Sequence, residues 1–123
     1  MSSREQLANF IRSSFRSVWS LELLLLVKRD PRPWTLAEIV AALRASELVV
    51  TQCIQSLIAA GLVSAESDQS VSYQPANPDL RQLVEEVEAL YARQPDAVRR
   101  LIVASSSGFS LTDFANAFRW SDK

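Results

Sequence analysis

Apolar residues recur at helical spacing along most of the chain, and short polar or proline-containing breaks separate the stripes. This periodicity predicts amphipathic helices, because residues three and four apart share one face of a helix. The predicted helices cover residues 3–15, about 21–29, 36–45, 47–60, 78–93, about 96–104 and about 111–120. Five of them are preceded by residues suited to cap a helix N-terminus: Ser20, Thr35, Ser46, Asn77 and Ser110.

One stretch departs from the helical period. Gly61 fits the left-handed residue that ends a helix. Residues 62–65 and 71–74 then predict two short strands around a turn at 67–69, with alternating apolar positions. The expected fold is therefore mainly α, with one two-stranded β-hairpin between the helices.

The composition limits the available chemistry. The 123 residues suit one domain, no apolar run could span a bilayer, and the opening MSSREQLANF lacks the apolar region of a signal peptide. The chain has no His and a single cysteine, Cys53, which excludes the commonest general base, a zinc cluster and an internal disulfide. We therefore expect a cytoplasmic protein that is not an enzyme and carries no cofactor or metal. Cys53 is expected to be a small core residue, with a redox switch as the lesser alternative.

The sequence of LELLLLVKRD, WTLAEIVAALRAS, ELVVTQCIQSLIAAGLV and SAESDQSVSYQ resembles a winged helix-turn-helix over residues 19–75. It is most similar to regulators of the MarR and ArsR kind, in which further helices flank the module and form dimers. The resemblance implies a single domain over residues 1–123, with a winged-helix core at 19–75 and flanking helices at 1–18 and 77–123. It also implies a transcription regulator that binds double-stranded DNA with the helix after Ser46.

In such a helix, the residues away from the apolar face would enter the major groove of DNA. Glutamine can make two hydrogen bonds to adenine, and threonine can use its hydroxyl or its methyl group. Phosphate anchoring would come from Lys28, Arg29, Arg32, Arg44 or the N-terminal arginines. The candidate DNA contacts are Arg44, Ser46, Leu48, Thr51, Gln52, Gln55 and Ser56.

The distribution of charge leaves a second hypothesis open. The net charge is −1, but residues 1–44 carry +3, residues 45–92 carry −6 and residues 93–123 carry +2. Residues 47–64 contain no Lys or Arg, and the predicted hairpin turn carries Glu66 and Asp68, which would repel phosphate. The alternative is a winged-helix module that binds another protein and has little or no DNA affinity. A structural subunit or an enzyme accessory is a third hypothesis.

Three amphipathic segments exceed what one small core is expected to cover: residues 3–15, 80–91 and 114–120. Because large exposed apolar patches are rare on monomers, we expect a symmetric homodimer, with Leu83, Val87 and Phe118 as contacts. The alternative is that these stripes fold back on the module. The carboxylates of Glu85–Glu88 are expected to lie on the solvated face of their helix or to pair with a basic partner, and no membrane partner is expected.

Overall fold

The computed structural model describes residues 3–103, which form a mainly helical fold with one two-stranded antiparallel hairpin, as predicted. A further helix, α6, begins at residue 95, and its described part extends to residue 103. None of the helices in this range is long and apolar enough to cross a membrane. The other elements, in chain order, are α1 (Arg4–Ser14), α2 (Val18–Arg29), α3 (Leu36–Leu43), α4 (Glu47–Ala59), β1 (Val63–Ala65), β2 (Val71–Tyr73) and α5 (Pro78–Arg93).

Three of the predicted helix caps are confirmed. The Thr35 hydroxyl accepts a hydrogen bond from the Glu38 backbone N–H, and the Glu38 carboxylate accepts one from the Thr35 N–H, which together form a capping box. The Ser46 hydroxyl accepts from the Val49 N–H at 3.1 Å. The Asn77 side chain accepts from the Leu80 N–H at 2.9 Å. Each cap satisfies a backbone donor that has no partner within its helix.

The predicted start of α2 is wrong by one turn. Ser17, not Ser20, caps this helix, and its side chain accepts a hydrogen bond from the Ser20 N–H at 3.3 Å. Both serines are competent caps, but Val18 and Trp19 contain no helix breaker, so the helix begins at the earlier one. Ser20 consequently lies inside the first turn and is buried.

The hairpin begins directly after α4. Gly61 has φ +77°, the left-handed conformation that lets the chain leave the helix and enter β1. Val63 pairs with Tyr73, and Ala65 pairs with Val71. Trp34, in the segment before α3, adds two backbone hydrogen bonds of 2.8 Å to Val71. The hairpin is therefore held against the α2–α3 connection and does not project alone.

Helix α2 lies at the centre of the core because it is apolar on nearly all sides. Its buried residues contact α3, α4 and β2, and they are Ser20, Leu21, Leu23, Leu24, Leu25 and Val27. The same cluster of buried residues extends to α1, α5 and α6 through Phe10, Ile11, Val84, Val87, Val98 and Ile102. The flanking helices thus fold back on the central module.

This packing corrects one predicted subunit contact. Val87 is fully buried by its own chain, so the prediction that it contacts a second subunit is contradicted. Its helix, α5, packs against α1, which covers the stripe that a partner was expected to cover. Leu83 is half-buried against the same core, and Phe118 and the helix predicted after Ser110 lie outside the described residues. The homodimer itself stays a prediction.

Candidate functional site

Helix α4 presents an uncharged face to solvent. Its N-terminus follows α3 after a three-residue link, residues 44–46, in which Arg44 adopts a left-handed conformation with φ 56°. Leu48, Gln52, Gln55 and Ala59 are exposed, and their spacing of four, three and four residues places them on one side of the helix. Leu48 is 67% exposed, the largest value among the described large apolar side chains that reach solvent. We call these four residues the outer face of α4.

The candidate DNA contacts divide into two groups. Leu48, Gln52 and Gln55 lie together on the outer face of α4, and Arg44 and Ser46 are exposed just before the helix. The Ser46 hydroxyl is engaged in capping. Thr51 and Ser56 are half-buried, and the Ser56 hydroxyl donates to the Cys53 carbonyl at 3.2 Å, so both are less accessible than predicted.

Lys28 is an unsuitable phosphate anchor because two carboxylates already hold it. Its Nζ lies 2.6 Å from Glu88 Oε1 and 3.4 Å from Glu85 Oε2, and its side chain is only 15% exposed. Burial, the largest influence, lowers the pKa of Lys28, but the bonds and charges of Glu88 and Glu85 outweigh it, so the pKa is raised. Arg29 Nε also lies 3.2 Å from Glu88. Glu88 therefore pairs with basic side chains of its own chain, so the expectation that it lies on a solvated face is wrong.

Arg32 is engaged in a second cluster, beside the Thr35 cap. Its guanidinium lies 3.9 Å from the centre of the Trp34 ring, 3.0 Å from Asp30 Oδ2 and 3.2 Å from Glu38 Oε1. The pKa of Glu38 is lowered by two hydrogen bonds, of which the one from the Thr35 backbone N–H has the larger effect and the one from Arg32 the smaller. Lys28, Arg29 and Arg32, which the sequence suggested as phosphate anchors, therefore neutralise carboxylates of their own chain.

A groove runs between the start of α2 and α4. Its volume is about 620 Å³, and we call it the α2–α4 groove. Trp19 forms part of its wall and is 42% exposed, and Cys53 Sγ lies 3.8 Å from Ser17 Oγ. The other lining residues are Arg16, Ser20, Val49, Gln52, Gln55, Ser56 and Ala59.

Sequence reasoning missed Trp19 as a surface residue, because the helical spacing of the aromatic residues is typical of core and interface positions. The available signal was the RSVW run, where Arg16 precedes the tryptophan by three residues. By contrast, Cys53 is 5% exposed and packs in the core, as predicted for a small apolar side chain.

The hairpin turn is acidic and well ordered by hydrogen bonds. Asp68 Oδ1 accepts from the Ser70 hydroxyl at 2.7 Å and from the Ser70 N–H at 3.0 Å. The hydrogen bonds from Ser70 lower the pKa of Asp68, which keeps this carboxylate charged beside the exposed Glu66. The turn therefore presents negative charge.

Within residues 3–103, no group of three His, Cys, Asp or Glu side chains is arranged to hold a metal ion. No family model matches the chain, and neither the curated proteins nor the solved structures include a match to it.

Proposed function

We propose that the chain is a winged helix-turn-helix regulator that presents the outer face of α4 to the major groove of duplex DNA. The order of the elements supports this: α3, a three-residue link, α4, and a hairpin whose first strand starts two residues after Gly61. The observation that carries the proposal is the position of Gln52 and Gln55, which lie one turn apart and exposed on the same face.

The side chains of this face have the chemistry that reading bases requires. The B-DNA major groove is wide enough to admit an α-helix, and a glutamine amide can donate to adenine N7 and accept from its N6 amino group. Leu48, one turn before Gln52, offers an apolar surface for a thymine methyl group. Two copies of the chain would carry two such helices to half-sites about one DNA turn apart.

Phosphate contacts would come from basic residues on either side of α4. Arg44 is exposed in the link before the helix, and Arg16 is exposed in the α2–α4 groove beside Gln52 and Gln55. Two phosphate contacts per chain, and hence four for two copies on two half-sites, predict a slope of about −4 when the logarithm of affinity is plotted against the logarithm of salt concentration. The binding would therefore depend on salt much less than that of strongly basic regulators.

Fluorescence anisotropy tests the proposal with duplexes selected by the protein from a random library at ~50 mM salt. We expect saturable binding with the salt dependence given above. Arg44→Ala should weaken this binding for every DNA sequence. Arg93→Ala is the matched control, since Arg93 ends α5 and is also exposed. Failure to select or bind any duplex under these conditions would overturn the proposal.

A protein partner is the second candidate, and the exposed apolar residues favour it. Leu48 and Trp19 are 67% and 42% exposed, and the acidic turn with Glu66 and Asp68 suits a basic protein surface better than DNA. Under this alternative, a photo-crosslinking amino acid at position 48 captures one specific protein in the cell, whereas the same group at Gln82 on α5 does not. Selection of a duplex that Leu48→Glu fails to bind would contradict it.

A further inference from the structure

The exposed indole of Trp19 stands between two depressions of the surface. On one side lies the α2–α4 groove, and on the other a shallower pocket formed with Val18, Glu22, Ala42 and Leu43. The residues from α2 and α4 that face each other in the α2–α4 groove are mostly small, among them Ser17, Ser20, Cys53, Ser56 and Ala59. Small side chains allow a further helix to approach closely, and a flanking indole offers it an apolar contact.

We propose that this site binds the chain's own C-terminal segment, residues 110–120, SLTDFANAFRW. In that segment Leu111, Phe114, Ala115 and Phe118 follow the helical spacing of three, four and seven residues, which gathers its apolar side chains into one stripe. Two phenylalanines one turn apart offer aromatic contacts to the exposed indole of Trp19. The docked segment covers that indole and fills the groove between α2 and α4.

The end of the described chain lies near this site. Arg99 on α6 donates a hydrogen bond to the Tyr91 hydroxyl at 3.4 Å, and that hydroxyl donates to the Glu22 carboxylate on α2. Glu22 lies one helical turn after Trp19 and lines the shallower pocket with it. The six residues 104–109 can span ~20 Å when extended. This exceeds the length of the helical turn that separates Glu22 from Trp19, so the connection is long enough to reach the groove.

Docking would also restrict access to α4. Gln52 and Gln55 both line the groove, so the docked segment competes with any macromolecule for this side of the helix. This consequence rests on the proposed function, whereas the docking itself does not.

The native cysteine provides the test, because Cys53 lines the groove and the chain contains no other cysteine. Phe114→Cys and Phe118→Cys each add one thiol on the apolar stripe, and Thr112→Cys adds one off it. Under mild oxidation with copper phenanthroline and oxygen, we expect one of the stripe variants to form an intramolecular disulfide at least ~10-fold faster than Thr112→Cys, because docking raises the local thiol concentration. Equal rates for all three variants, or a disulfide found only between two chains, would overturn intramolecular docking.

A second measurement does not require the thiol of Cys53 to react. In the full chain, Phe118→Asp should shift the indole N–H resonance of Trp19 in a nitrogen–proton correlation spectrum. The resonance of Trp34 is the internal control, because its indole N–H donates to the Asp30 carbonyl at 2.9 Å in the interior of the fold. An unchanged Trp19 resonance would contradict the proposal even if DNA binding through α4 were established.

Discussion

Replacing Glu88 by glutamine should destabilise the fold because this carboxylate joins α5 to α2. Glu88 Oε1 accepts from Lys28 Nζ at 2.6 Å, and its Oε2 accepts from Arg29 Nε at 3.2 Å. The Lys28 and Glu88 side chains are only 15% and 24% exposed. The glutamine variant leaves the partly buried ammonium of Lys28 with the longer contact to Glu85 at 3.4 Å.

The size of the effect follows from the partial burial of the pair. An exposed ion pair contributes about 0–1 kcal/mol, whereas breaking a buried pair costs about 3–5 kcal/mol. Because the Lys28–Glu88 pair is partly buried, its contribution should fall between these limits. We therefore expect Glu88→Gln to lower the free energy of unfolding by about 2 kcal/mol. Glu86→Gln is the matched control on the same helix, where the carboxylate accepts from Gln82 at 2.8 Å. Its effect should stay within about 0.5 kcal/mol.

Urea unfolding at several pH values measures both variants. Hydrogen bonds from Lys28 are the largest cause that lowers the pKa of Glu88 below its ordinary 4.5. A lowered carboxyl pKa stabilises the fold above the unfolded value, and this contribution is lost as pH falls through the folded value. The difference between wild type and Glu88→Gln should therefore be full at pH 7 and shrink below pH ~4. A difference that is absent at pH 7, or that grows in acid, would show that the Glu88 carboxylate does not stabilise the fold through Lys28.

Three further predictions concern packing, backbone and assembly. Val87→Ala should lower the free energy of unfolding by about 2 kcal/mol from lost apolar burial and the cavity left behind. An unchanged urea midpoint would contradict the complete burial of Val87. Gly61→Ala should cost about 1–2 kcal/mol in thermal or urea unfolding, because φ is +77°; an unchanged midpoint would count against that strain. Sedimentation at micromolar concentration tests the predicted homodimer, which a single species of 13.7 kDa would contradict.

Features that depend on residues close together in the sequence could be predicted. The caps at Thr35, Ser46 and Asn77 and the left-handed Gly61 depend on side chains within three or four residues of the element they end or begin. The hairpin could be predicted because a turn separates two stretches in which apolar and polar residues alternate. The exposed position of Gln52 and Gln55 followed from the apolar stripe on the other side of α4.

Features that depend on distant residues could not be predicted. The contacts of Lys28 with Glu88 join residues 60 positions apart, so the sequence could not indicate that this cation is neutralised. An amphipathic stripe shows that a face is covered but not what covers it, which is why Val87 was assigned to a subunit interface and not to the core. The exposure of Trp19 likewise depends on how α2 and α4 meet.

The most direct test of the central proposal compares sequence preference in variants of the outer face of α4. Affinity is measured for a selected duplex and for a scrambled duplex of the same composition, with wild type, Gln52→Ala and Gln55→Ala, and with Gln82→Ala on α5 as control. We expect each outer-face variant to lose about 1–3 kcal/mol of discrimination between the duplexes, while the control keeps it. If both outer-face variants discriminate as well as the wild type, α4 does not read DNA.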